Sequence, residues 1–411
     1  LSKALPLAIK ISPILKGASM KFFLMILILI TSTLAFAELY DSGSHPANFT
    51  RIAGMNIITK FSSLPKNGRV SDDRLGWSES YWPSNKGGVA YRWNSPDPQP
   101  FKYHLNTKEE LMKMTKDQLD RLSPAELYDI SNDDYNYTLT RFAFNKYSPR
   151  DLWWEGICHG WAQAAVNYPE PQPVVVRNKS GMKVPIGASD IKALLAMHEA
   201  YNYKGENFAF AGRRCTVRGK VIGEADNRDH PSDREYPLAE LAESINCKDV
   251  NAGSFHVIIS NMLGLHGKGF VADIDRFNDV WNQPIVGYDS THLNDENVTS
   301  YHQSQGIFRR IRINLSMTYG EELKFYTPEL ASQGHQNFVS KKPVTLTPHQ
   351  KFLSRKYEYI IELNKTGNII GGEWVTQTRP DFMWHYARSM NFKNSPAPLG
   401  HLRHIYRPLR R

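Results

Sequence analysis

The chain has 411 residues, 41% of them hydrophobic, with 50 basic and 41 acidic side chains and a formal net charge of +9. That length suits one large elaborated domain or two smaller ones, and the apolar fraction excludes a globally disordered chain. The basic residues are dispersed except in the C-terminal run HLRHIYRPLRR, so no nucleic-acid-binding stripe is expected.

Residues 1–37 carry the parts of an export leader. Met20 and Lys21 precede the apolar run FFLMILILI, and small residues follow at Ala35 and Ala37. The run is short for a bilayer span. Cleavage after Ala37 is therefore expected, with Met20 as the start, a secreted or periplasmic product and no stable membrane association afterwards. Residues 38–105 are rich in Gly, Pro, Ser and aromatics. They read as an aromatic-rich segment and a candidate pro-region, with LGWSESYWPSNKGGVAYRW forming loops and short strands that bear a tryptophan-rich surface.

A catalytic domain is expected over 106–390, with a basic tail over 391–411. Thr107 and Glu110 make a capping box, and Leu111, Met114 and Leu119 follow at helical spacing. Ser123-Pro124-Ala125-Glu126 starts a second helix. From Ser189, DIKALLAMHEAY reads as a helix with Ile191, Leu194, Leu195 and Met197 inward, and PLAELAESI as a shorter one. SFHVIISNMLG and KGFVADID then read as two adjacent strands, followed by strands in RRIRINLSMTYG, KYEYIIELN and NIIGGEWV. Helices first and strands afterwards predict an α+β fold.

There are three cysteines. In an oxidising compartment Cys215 and Cys247, which flank the polar run EADNRDHPSDRE, are expected to form a disulfide and leave Cys158 unpaired. Cys158 lies in WWEGICHGWAQAA, shortly after Gly156 and before a run of small residues. That suits a loop-to-helix junction, where a helix N-terminus lowers a thiol's pKa and offers N–H groups to an oxyanion. Trp153, Trp154 and Trp161 are expected to wall a dry, narrow site, with the Trp153 or Trp154 indole joining the Cys158 backbone N–H as oxyanion donor. A thiol nucleophile needs a base. His256, at the expected start of a strand, is the candidate. Asp273 on the next strand would orient it, with Asp275 and Asn282 as alternatives. His159 would point about 100° away from its neighbour on a helix and is the poorer base. The order Cys, His, Asp or Asn suits papain-like peptidases and transglutaminases alike.

Five segments carry a more specific resemblance. They are WEGICHGWA, SDIKALL, CKDVNAGSFHVIISNMLG, the run DVWNQPIVGY at 279–288, and GGEW followed by PDFMW. Together, in this order over residues 75–390, they resemble the transglutaminase elicitor family. The resemblance implies a secreted protein-glutamine gamma-glutamyltransferase with a papain-like core, its nucleophile at a helix N-terminus packed on an antiparallel sheet. The implied substrates are protein glutamine and lysine side chains or small amines. The implied catalytic residues are Cys158, His256 and Asp273. Trp281 and Pro284 match the family's surface elicitor peptide, while Asp289-Ser290-Thr291 departs from it, and the primary role expected of the segment is a strand and turn flanking the active site. No cofactor is implied as a requirement and no motif has metal-ligand spacing. Calcium is the one metal the acidic loop with Glu224, Asp226, Asp229 and Asp233 would suit, and that loop lacks EF-hand spacing. The rival readings are a cysteine peptidase or amidase with the same residues, and a non-enzymatic secreted elicitor or adhesin.

Overall fold

Capping residues decide where the first helices begin and end. The computed structural model describes residues 38–408 apart from 50–54, 72–73, 75, 97–99, 102, 203–207, 215–248, 275–279, 323–351, 377 and 388–390. The leader, Cys215, Cys247, the acidic loop, the PLAELAESI segment and Asp275 lie outside the described residues. Thr107 and Glu110 form the expected capping box on α1 (Lys108–Leu111). Thr115 and Gln118 form a second box that starts α2 (Lys116–Leu119). The single helix expected through Leu111, Met114 and Leu119 is thus two one-turn helices. Ser123, Pro124 and Glu126 start α3 (Pro124–Ser131) as expected, and α4 (Thr138–Lys146) follows.

The next two helices pack against each other at a glycine. They are α5 (Cys158–Asn167) and α6 (Ala188–Tyr201). A Cβ on Gly160 would run into the Ala196 carbonyl and lie 2.7 Å from the Ala200 Cβ. Only a bare Cα lets the two helices approach this closely.

The strands are β1 (Asn67–Arg69), β2 (Val174–Arg177), β3 (Lys183–Ile186), β4 (Phe208–Gly212), β5 (Phe270–Asp273), β6 (Asn282–Glu296), β7 (Arg309–Gly320), β8 (Phe352–Leu363), β9 (Ile369–Trp374) and β10 (Phe382–Tyr386). Strands β2 and β3 form a separate hairpin. The main sheet runs β4-β10-β5-β6-β7-β8-β9, with β1 beside β6, and every pairing is antiparallel. The fold is therefore mixed helix and sheet, and β7, β8 and β9 fall where alternation predicted them.

SFHVIISNMLG is not a strand. It forms α7 (Ala252–Ile259), which runs on as a π-helical turn over Ser260–Leu265. Every residue of α7 is buried. A helix enclosed on all sides has no polar face, so its continuous apolar run gave no helical period. The cap was the readable signal: the Asn251 side chain accepts from the N–H groups of Gly253 and Ser254. The sheet curls around this helix. Asn251 Nδ2 donates to Gly372 O on β9, and the preceding Val250 N–H donates to Asp381 O beside β10. A Cβ on Gly253 would strike the Gly371 carbonyl, which explains the bare glycines in GGEW where helix and strand cross.

Alternation splits the sheet into two faces. Phe270 and Ala272 of β5 and Met383 of β10 join the core around α7. Val271, Phe382, Trp384 and Tyr386 point the other way and pack on Ala162 of α5. A third core holds α5, α6 and the segments before and after the expected catalytic domain. Trp77 and Trp82 are fully buried in it with Leu399, Leu402 and Ile405. The WSESYW stretch is therefore a core element rather than a tryptophan-rich surface, and the basic C-terminal segment packs through its apolar residues.

Asn251→Ala removes the cap of α7 and the donors to Gly372 O and Glu38 O. It should destabilise the protein by about 1–2 kcal/mol, read from the denaturant midpoint with the slope unchanged. A change below experimental error would contradict this role.

Candidate active site

Cys158 is the first residue of α5, and Ile157 before it offers no side-chain cap. Its junction is fixed by backbone contacts. Ile157 N–H donates to Tyr81 O at 2.7 Å. A Cβ on Gly156 would collide with the same carbonyl, so the glycine of GICHG is a close-approach residue. The helix therefore begins at the sulfur, with no cap from the Ile157 side chain on its first-turn N–H groups.

The sulfur faces the start of β6. Cys158 Sγ donates to Val280 O at 3.6 Å and lies 3.7 Å from Asn282 Nδ2. Asn282 is paired in register with Asp273 at the end of β5. Asn282 Oδ1 accepts from Trp384 Nε1 at 2.7 Å. An indole N–H only donates, so this bond makes the oxygen side of the amide face the tryptophan and the nitrogen side face the sulfur. Asp273 Oδ1 accepts from Trp281 N–H. The Trp281 ring packs 5.9 Å from both Tyr81 and Trp153, centroid to centroid. These three rings form an aromatic cluster at Trp281, the residue between the sulfur's partners Val280 and Asn282.

Electrostatics runs against the expected activation. Burial pushes the Cys158 thiol up to about 11. The Asn282 backbone and side-chain N–H groups pull it down by less, and the carboxylates of Glu322 and Asp273 push it further up. Removal from water thus outweighs the Asn282 N–H groups, and the resting group is a protonated thiol.

The expected residues divide into those that meet and those that do not. Cys158, Asp273, Asn282, Trp153 and Trp281 come together. Trp161 is fully buried, with its indole N–H on Trp77 O. It is a core residue and not a channel wall. Trp154 lies under the Arg214 guanidinium, 6.0 Å from the ring centroid. Pro284 and Trp281 are buried, so the elicitor-like segment is the inner start of β6 rather than a surface peptide.

His256 is the main correction. It lies on α7, inside the curled sheet, whereas α5 packs on the sheet's other face. Its Nδ1 is 2.7 Å from the Tyr359 hydroxyl and its ring packs on Phe61. Among the described residues, the hydrogen-bond partners of Cys158 Sγ are Val280, just before β6, and Asn282 at its start, and not residues of α7. The error follows from reading α7 as a strand, because a hairpin of two strands would have put His256 beside Asp273. Burial, with His292 adding a little, depresses the His256 imidazole to about 3. Sequence reasoning also missed Trp384 and Glu322. The alternation of FMWHY pointed to Trp384 only once its register was known.

The Transglutaminase elicitor family model matches residues 151–394, which is more than half of the chain. The chain belongs to the transglutaminase elicitor family. The family match spans α5 with Cys158, all of the sheet from β4 onward, and the WNQP start of β6. In fold the family member is similar to the crystal structure of the GP42 transglutaminase from Phytophthora sojae, with a TM-score of 0.60 at 18% identity, over 90% of this chain and 98% of that one. No curated protein matches it significantly in sequence. Among the described residues no helix is long and apolar enough to cross a membrane.

Two measurements check the site's electrostatics. Alkylation of Cys158 by iodoacetamide should accelerate steadily with pH toward about 11. A plateau already reached by neutral pH would contradict a thiol raised by burial. For His256, folding depresses the pKa from 6.5 to about 3. Its contribution is present above the unfolded value and is lost as the pH falls through that window. The unfolding free energy of wild type should therefore drop relative to His256→Gln between those limits. Parallel pH curves for the two proteins would contradict it.

Proposed function

We propose that this family member is a secreted protein-glutamine gamma-glutamyltransferase in which Cys158 is the nucleophile. The observation that carries the reading is the buried, unpaired thiol at the start of α5, beside an aromatic cluster and the paired Asp273 and Asn282. Family membership supports the reaction class, and the leader-like residues 20–37 support export.

Cys158 sulfur attacks the carbonyl carbon of a glutamine carboxamide. The carbonyl π pair moves to oxygen, where the first-turn N–H groups of α5 receive it. Collapse breaks the C–N bond, and ammonia leaves with the proton that the thiol gave up. Asp273, paired with Asn282 and acting on the thiol through its charge, is the acid–base group of this reading in place of His256. A lysine or small amine then attacks the thioester and restores the thiol. The rings of Tyr81, Trp153 and Trp281 keep water from the thioester and favour transfer over hydrolysis.

Incubation with a glutamine-rich protein and a fluorescent amine should give amine incorporation with ammonia release. Cys158→Ala should abolish both, whereas His256→Gln should retain activity in proportion to the folded fraction. New N-termini in the protein without amine incorporation would replace this reading by a peptidase.

A further inference from the structure

The aromatic cluster, the thiol and the strand start leave one arrangement without a role. Asn282 is buried, and both ends of its amide are committed. Its oxygen takes the Trp384 indole N–H at 2.7 Å, and its nitrogen faces Cys158 Sγ at 3.7 Å. A neutral amide so close to a nucleophile has three available uses. It can orient a base, it can be a packing residue, or it can donate to charge that develops at the reacting carbonyl. Orienting an imidazole needs the amide oxygen, and that oxygen is occupied by an indole which only donates. Packing alone needs no fixed amide orientation.

Trp384 is itself rigidly placed. Its ring stacks on Tyr386 at 18° between planes with centroids 5.7 Å apart, and Phe208 lies at the same distance on a neighbouring strand. Tyr386 is tied in turn to Glu199 O of α6 through its hydroxyl. The chain of contacts runs from α6 through β10 to the amide that faces the sulfur. A donor locked before the reaction needs no reorganisation when charge appears.

We propose that Asn282 is a catalytic residue that donates Nδ2–H to the oxyanion formed at Cys158, and that Trp384 is the positioning residue that fixes the amide for this task. The inference rests on Cys158 being acylated, the step shared with the proposed transferase reaction. As the S–C bond forms, the carbonyl π pair passes to oxygen. That oxygen is received by Asn282 Nδ2–H together with the backbone N–H groups at the start of α5. As the leaving group departs, the pair returns to the carbonyl and Asn282 is unchanged. The WNQP segment thereby supplies catalysis directly, and the GGEW…PDFMW segment supplies its support.

The test uses single-turnover acylation of Cys158 in the full chain by p-nitrophenyl acetate. This ester reacts through the same tetrahedral oxyanion and does not require that glutamine be the substrate. Iodoacetamide alkylation serves as the comparison, because displacement of iodide creates no oxyanion. Asn282→Ala should slow acylation about 100-fold, and Trp384→Phe about tenfold. The double variant should be no slower than Asn282→Ala, since the tryptophan acts only through the amide. Alkylation of these three variants should stay within about fivefold of wild type. Asn282→Asp keeps the shape and the Trp384 bond but presents an acceptor whose charge also raises the thiol, so the ratio of its acylation rate to its own alkylation rate should fall below that of Asn282→Ala. If either tryptophan variant folds poorly, the Asp and Ala comparison alone decides. Parallel losses of acylation and alkylation, multiplying effects in the double variant, or full acylation by Asn282→Asp would each overturn the proposal. A protein that acylates with the ester as expected but never takes a glutamine amide would leave this inference standing and remove the transferase reading.

Discussion

The pairing of Asp273 with Asn282 is the constraint on which the site depends. These residues face each other where β5 ends and β6 begins. Their shared register puts a carboxylate and an amide side by side on the sheet face that α5 covers. A slip of one residue in either strand would turn its residue to the other face and bring Ala272 or Gln283 there instead. Pairing of Val271 with Pro284 and of Phe270 with Ile285 holds that register from the hydrophobic side. The helix that carries the thiol is set independently, by Gly156 against Tyr81 and by Gly160 against α6. Chemistry arises where two separately fixed surfaces meet.

That meeting is dry, and dryness explains both the strength and the restraint of the site. A buried thiol flanked by the fields of Asp273 and Glu322 rests protonated. In an oxidising compartment such a thiol is slow to oxidise, because the thiolate is the reactive form. The same exclusion of water strengthens every N–H that can reach a developing oxyanion. In the proposed reaction, proton loss and bond formation then occur together, which ties reactivity to the arrival of a substrate carbonyl.

Legibility in the sequence followed the range of the interactions involved. The caps of α1 and α3 and the alternation of β7, β8 and β9 are local, and they were readable. The place of Cys158 at a helix start was readable as well, because its glycines and its small-residue run lie close in sequence. The α7 segment was not. Its enclosure on every side erased helical periodicity, and one wrong element displaced His256 from one face of the sheet to the other. Trp161 and Trp384 show the same limit in mirror image. One looked functional from its neighbourhood and is core, with its N–H on Trp77 O. The other lay far from the cysteine in sequence, and only strand pairing brings it to Asn282. The family resemblance carried the reaction class without fixing which histidine, if any, serves it.

The central claim is that a glutamine carboxamide acylates Cys158. Peptide mapping by mass spectrometry, after rapid acid quench of the protein with a glutamine peptide and no amine, tests it most directly. The fragment that contains Cys158 should gain the mass of the peptide less one ammonia. Release of ammonia with that fragment unmodified, and the label on any other residue, would contradict the claim.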